Sequence, residues 1–86
     1  MSKPRAISRY LGEALRQNRE FVEMTQAHVA LNASISCGTL SRIENGAHRP
    51  TVDLLEQVAH VLQMELSDLI EDAERIRDEQ EMDAGT

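Results

Sequence analysis

The sequence predicts an all-α fold of five helices. Three observations lead there. Apolar residues recur at three- and four-residue intervals in successive segments, Ser or Thr stands just ahead of most of those segments, and no run alternates polar and apolar as a half-buried strand would. No internal repeat interrupts this pattern.

The first segment places Ile7, Leu11, Ala14 and Leu15 on one side with Arg9, Glu13, Arg16 and Arg19 between them, which predicts a helix from Ile7 to about Phe21. Thr25 is a candidate N-cap for a short second helix carrying Ala27, Val29, Ala30 and Leu31 and ending near Asn32. Residues 33–36 contain two cap-type serines around one apolar residue. They read as a tight turn in which Ile35 plugs the core and Ser36 starts a third helix. That helix turns Leu40 and Ile43 inward and stops at Asn45-Gly46, where glycine accepts the left-handed conformation that ends many helices. After a loop over residues 47–50, Thr51 caps a fourth helix with Val52, Leu55, Val58, Ala59 and Leu62 as its stripe. Leu54 and Val61 broaden the stripe, so this helix must be packed on more than one side.

Ser67 is the candidate cap of a fifth helix in which Leu66, Leu69, Ala73 and Ile76 follow the spacing of a coiled-coil seam. The seam spans less than the roughly three heptads of a true coiled coil and reads as a docking edge. Beyond Arg77 the chain is too polar to pack and is expected to fray or be disordered. The expected organisation is a basic N-terminal arm over residues 1–6, a domain over residues 7–77 including a C-terminal dimerisation helix, and an acidic tail over residues 78–86.

Composition narrows the function. A chain of 86 residues has room for one domain with a modest core. No apolar run approaches the roughly 18 residues needed to span a bilayer, and the basic start lacks a signal-peptide apolar stretch, so no membrane partner and a cytoplasmic location are expected. The single cysteine, Cys37, permits no intramolecular disulfide and no ordinary thiolate metal cluster. His28, His48 and His60 lack the spacing of paired ligands on one helical turn, and no nucleophile-base pattern or glycine-rich phosphate loop is present. Neither an enzyme nor a metal or other cofactor is expected. One tyrosine, one phenylalanine and no tryptophan argue against stacking platforms for single strands or RNA.

The net charge of −6 is unfavourable for approaching phosphates, but its distribution is not uniform. Residues 1–22 hold five Lys or Arg against two acids, residues 23–50 hold two against two, and residues 51–86 hold two arginines against eleven acids. The first half is thereby free to present a positive face.

The stretch from Thr25 to Gly46, TQAHVALNASISCGTLSRIENG, sets two short helices across a three- to four-residue turn. That is helix-turn-helix geometry, whose second helix fits a major groove about 12 Å wide. The stretch resembles the Cro and phage-repressor type of helix-turn-helix, the XRE family, over about residues 7–70. The resemblance is carried most specifically by Thr25-Gln26, by residues 39–46 and by Arg49-Pro50-Thr51. It implies a compact five-helix, lambda-repressor-like DNA-binding domain with its helix-turn-helix at helices 2 and 3. Family members often have glycine where this chain has Glu23 and Ser34, and longer polar side chains where it has Cys37 and Gly38.

Carried over residue by residue, the resemblance implies that Cys37, Gly38, Thr39, Ser41 and Arg42 face base edges, with Arg42 suited to guanine O6 and N7. It implies that Gln26, Ser36 and Asn45 meet the DNA backbone. Arg49 either holds a phosphate or is plain loop surface, and Arg42 has an alternative partner in Glu44. Cys37, in the first turn of helix 3, is a candidate redox-sensitive contact or simply a small residue tolerated there. The leading expectation is a dimeric repressor of a palindromic operator in double-stranded DNA. Its homodimer interface is assigned to Leu66, Leu69, Ile70, Ala73 and Ile76. The alternative is an antitoxin-like or adaptor protein whose acidic C-terminal region binds a protein partner.

Overall fold

The computed structural model describes residues 6–84. They form five helices, α1 (Ile7–Phe21), α2 (Gln26–Asn32), α3 (Cys37–Glu44), α4 (Val52–Val61) and α5 (Leu66–Ala84), as the periodicity predicted. The expected arm over residues 1–6 lies outside the described residues except for Ala6, which stands at the N-cap position of α1.

Starts and stops follow from local chemistry. Thr25, Ser36 and Thr51 each accept a backbone N–H three residues on, from His28, Thr39 and Leu54. The four endings of α1 to α4 share one device. The residue after the C-cap is left-handed at Glu23, Ser34, Gly46 and Gln63. Its successor donates back across the last turn, Met24 to the Arg19 carbonyl, Ile35 to Ala30, Ala47 to Arg42 and Met64 to Ala59. Met24, Ile35 and Met64 then pack against the core. Ile35 is the plug the turn required. Only Gly46 among the four is a glycine, so Glu23, Ser34 and Gln63 hold the left-handed conformation with a side chain present.

α1 and α5 form the longest contact of the fold. Asn18 donates to Asp72 at 3.0 Å, and Gln80 donates to Glu13 at 3.0 and 3.2 Å, so the two helices run antiparallel. Tyr10, Leu11, Ala14 and Leu15 of α1 meet Leu69, Ala73 and Ile76 of α5 within one core, to which Val29, Leu40, Ile43, Leu55 and Val58 belong as well.

Two expectations are corrected here. Leu69, Ala73 and Ile76, assigned to a dimer interface, are buried within the chain itself, because α1 supplies the surface that the seam needed. Leu66 is partly buried against the same core, and Ile70 alone of the five is exposed. The tail expected to fray from residue 78 continues α5 to Ala84. Its Glu, Gln, Met and Ala residues are good helix formers, and a helix already nucleated by a docked segment extends without a fresh nucleation penalty. Gln80 also ties the extension to α1. Gly85 and Thr86 lie outside the described residues. The start of α5 differs in detail too: the helix begins at Leu66, and the Asp68 carboxylate, rather than Ser67, reaches back to accept the Glu65 N–H at 3.3 Å.

Candidate nucleic-acid interface

The turn from α2 to α3 keeps the tight left-handed geometry at Ser34, φ 59°, although no glycine is there. With Leu40 and Ile43 fixed inward, the helical period sends Cys37, Gly38 and Arg42 outward, where all three are exposed, while Thr39 and Ser41 are half-buried at the edges of that face.

The first turn of α3 is tied by hydroxyls. Ser36 Oγ accepts the Thr39 N–H at 3.0 Å and donates to Thr39 Oγ1 at 2.7 Å, and Arg42 Nη2 donates to the same Thr39 oxygen at 3.4 Å. Arg42 thus leans back along the helix over Gly38, where an added β-carbon would stand 3.5 Å from Arg42 Nη1. The small residues Cys37 and Gly38 leave this end of the helix low, with one long cationic side chain lying over it.

Gln26, at the start of α2, donates from Nε2 to Glu44 Oε1 at 2.8 Å. The start of α2 is therefore joined to the end of α3, and Gln26 stands beside the residue that precedes Asn45. Asn45 and Arg49 are both exposed, on the loop that leaves α3. Gln26 is thus tied to Glu44, the residue that precedes the exposed Asn45. Ser36 belongs with the hydroxyl cluster at the other end of α3.

Glu44 is the residue that sequence reasoning missed. It is the one buried charged residue of the described core. Arg19 of α1 grips its carboxylate with Nε to Oε2 at 2.7 Å and Nη2 to Oε1 at 3.0 Å, in the parallel two-bond form that guanidinium and carboxylate favour. Arg19 Nη1 also donates to the Met24 carbonyl at 2.8 Å, fastening the α1–α2 turn. The side chains are 13% and 2% exposed. The hydrogen bond to Glu44, more than the opposing desolvation, raises the Arg19 pKa above its ordinary value, with the carboxylate's charge adding to the rise. The Arg42–Glu44 pairing considered above does not form. Glu44 turns inward to Arg19 and Gln26, whereas Arg42 points to solvent. A signal was present: Glu44 follows the inward Leu40 by four residues, which puts the two on the same face of the helix.

The electrostatic consequence is local. Between Met24 and Val52 the sequence holds one acidic residue, Glu44, and that residue is covered and neutralised by Arg19. The α2–α3 unit therefore exposes no carboxylate of its own, although the chain as a whole carries −6.

Comparison with known proteins agrees with this geometry. Residues 10–72 match the helix-turn-helix domain family. The chain belongs to that family. Its membership and its α2–α3 geometry are in keeping with the Cro-like resemblance read from the sequence. It is 29% identical over 79 residues to an uncharacterised HTH-type transcriptional regulator, y4wC, of Sinorhizobium fredii, a match covering 91% of this chain. The chain spans 55% of the length of that relative. Among solved structures it is similar to the clp gene regulator ClgR of Corynebacterium glutamicum, with a TM-score of 0.93 at 26% identity over 96% of this chain and 88% of that one. A second ClgR structure matches with a TM-score of 0.78 at 29% identity, over 85% of this chain and 94% of that one. Among the described residues no helix is long and apolar enough to cross a membrane.

Proposed function

We propose that the protein binds double-stranded DNA sequence-specifically as a transcriptional regulator, with α3 in the major groove. Arg42 reads a guanine, Cys37, Gly38, Thr39 and Ser41 line the approach, and Gln26, Ser36, Asn45 and Arg49 meet the backbone. The observation that carries this reading is an outward α3 face of small and hydroxyl side chains around one arginine, on a unit whose sole carboxylate is buried. A phosphate backbone can approach such a face without like-charge repulsion despite the acidic α5.

The finer reading is a dimeric repressor of a palindromic operator. An eight-residue α3 reaches only a few base pairs, and a two-fold pair of copies with half-sites about 34 Å apart multiplies the discrimination. In vitro selection from a random duplex library, followed by mobility shift at defined stoichiometry, tests both levels. A two-fold symmetric motif bound by two chains is the expected result. Selection of no motif overturns the specific-binding reading, and a single asymmetric half-site bound by one chain overturns the dimer.

A second reading is favoured by one observation, the ordered acidic face of α5. Glu71, Glu74, Asp78 and Glu79 are exposed on a helix that continues to Ala84. An antitoxin-like or adaptor role would use that face against a basic protein partner. Unchanged partner capture after removal of residues 78–86 would dispose of the part played by the C-terminal end.

A further inference from the structure

We propose that Glu44 is a positioning residue for DNA binding, acting through Gln26: its carboxylate orients the Gln26 amide for the backbone contact, while Arg19 cancels the charge that would otherwise oppose the phosphate. The inference rests on the DNA-binding reading above, with Gln26 on the backbone.

A carboxylate only accepts hydrogen bonds, so it selects the NH2 end of the glutamine amide and settles which way the group faces. Gln26 Nε2 donates one proton to Glu44 Oε1 at 2.8 Å and keeps its second for a ligand. A free surface glutamine loses rotamer freedom when it binds, and Gln26 has lost much of that freedom already. Glu44 is itself unable to swing, because its side chain is 2% exposed and Arg19 holds both of its oxygens, Oε2 at 2.7 Å and Oε1 at 3.0 Å. An unpaired carboxylate so near a phosphate would repel it. Here the charge is balanced by a guanidinium whose pKa is raised further by the same bonds, so Arg19 stays charged opposite the carboxylate.

The test compares DNA affinity of the full chain on one selected duplex in a mutant cycle. The variants are Gln26→Ala, Glu44→Gln, and the paired Arg19→Met/Glu44→Leu, which removes the ion pair without leaving a lone buried charge. The Glu44 and paired changes are each made in the parent and in the Gln26→Ala background, with melting curves to verify folding. Removing the pair should weaken binding about fivefold when Gln26 is present and leave affinity unchanged in the Gln26→Ala background. Glu44→Gln, which retains an acceptor oxygen, should recover part of the loss. Equal losses in both backgrounds would overturn the proposal and make Glu44 a purely structural residue. If the paired variant does not fold, the side-chain amide resonances of Gln26 decide. They should be dispersed in the parent and shift on Glu44→Gln, and resonances of an unconstrained glutamine in the parent would overturn the proposal. A parent chain that binds no duplex overturns the DNA reading and this inference with it, a result distinct from equal losses in a chain that does bind.

Discussion

Gly12 of α1 lies directly against the main chain of Ile43 near the end of α3. A β-carbon built on Gly12 would overlap the Ile43 carbonyl oxygen and stand 3.0 Å from its carbon and 3.2 Å from the Glu44 carbonyl carbon. The obstacle is backbone, which cannot rotate away as a side chain would. Because α3 is the candidate reading helix, this contact sets how far it stands from α1. Gly12→Ala is therefore expected to destabilise the fold by about 1 to 3 kcal/mol, the usual range for overpacking, although alanine is the better helix former. Thermal unfolding should show a fall of several degrees. A variant melting at the parent's temperature would mean that α1 and α3 are not in this contact.

The left-handed residues give a prediction of opposite sign. Glu23, Ser34 and Gln63 sit at φ values of 59°, 59° and 57°, where a β-carbon crowds the backbone. Replacing each by glycine removes strain of about 1 kcal/mol or more, offset in part by the greater freedom glycine gives the unfolded chain. Ser34→Gly should raise the melting temperature by a few degrees without altering DNA sequence preference. A lower melting temperature would show that Ser34 is not held there. The sequence positions of the breaks at Glu23 and Ser34 were legible, since Thr25 and Ser36 mark the helix starts that follow them, whereas the start after Gln63 was expected to be capped by Ser67 and is held by Asp68 instead. The conformation at all three was not legible, because nothing about a serine, a glutamate or a glutamine by itself demands a positive φ.

Ile76 illustrates a second limit on what sequence reveals. The spacing of Leu66, Leu69, Ala73 and Ile76 correctly marks an apolar stripe, but a stripe does not say whether its cover comes from the same chain or another. Here α1 covers it. Ile76→Glu should accordingly unfold or strongly destabilise the monomer by burying an unpaired carboxylate, not merely split a dimer. Ile70, exposed on the same helix, is the better probe of association. Circular dichroism melting with sedimentation separates the two effects. A folded Ile76→Glu chain that has only changed its mass would restore the seam as an interface.

Arg19 and Glu44 are far apart in sequence, which is why the pair could not be read from the chain although the inward register of Glu44 could. Their separation across α1 and α3 makes the pair a tertiary fastening. Arg19→Met leaves a buried carboxylate without its partner and should destabilise the fold by about 3 to 5 kcal/mol, whereas Arg19→Met/Glu44→Leu should recover most of that. The sign of the pH dependence follows from the raised Arg19 pKa. The stabilisation it gives is fully present below the unfolded guanidinium's pKa and is lost only as pH rises through the folded value, so strong alkali is needed to remove it from this side. Urea unfolding of both variants is the measurement, and equal losses in the single and paired variants would contradict the ion-pair account.

Arg42 and Arg49 are both exposed arginines next to the candidate interface, yet their places on α3 and on the following loop predict different kinds of loss. Arg42 lies over the outward face of α3 with Thr39 as its hydroxyl neighbour. If it reaches guanine O6 and N7, Arg42→Ala should lower affinity for the cognate duplex by about 1 to 3 kcal/mol and affinity for scrambled DNA far less, because only the cognate site offers that base edge. Arg49 lies beyond the helix, on the following loop, where a contact to the DNA backbone is proposed. Its loss should weaken both duplexes alike and reduce the slope of log affinity against log salt by about one, since one fewer counterion is released. Gln26 is neutral, so Gln26→Ala should weaken both duplexes while leaving that slope unchanged. A salt titration of the three variants on one selected and one scrambled duplex resolves the roles. If Arg42→Ala lowers both affinities equally and flattens the slope, Arg42 is a phosphate ligand, and base reading falls to Thr39 and Ser41 at the half-buried edge of the same helix.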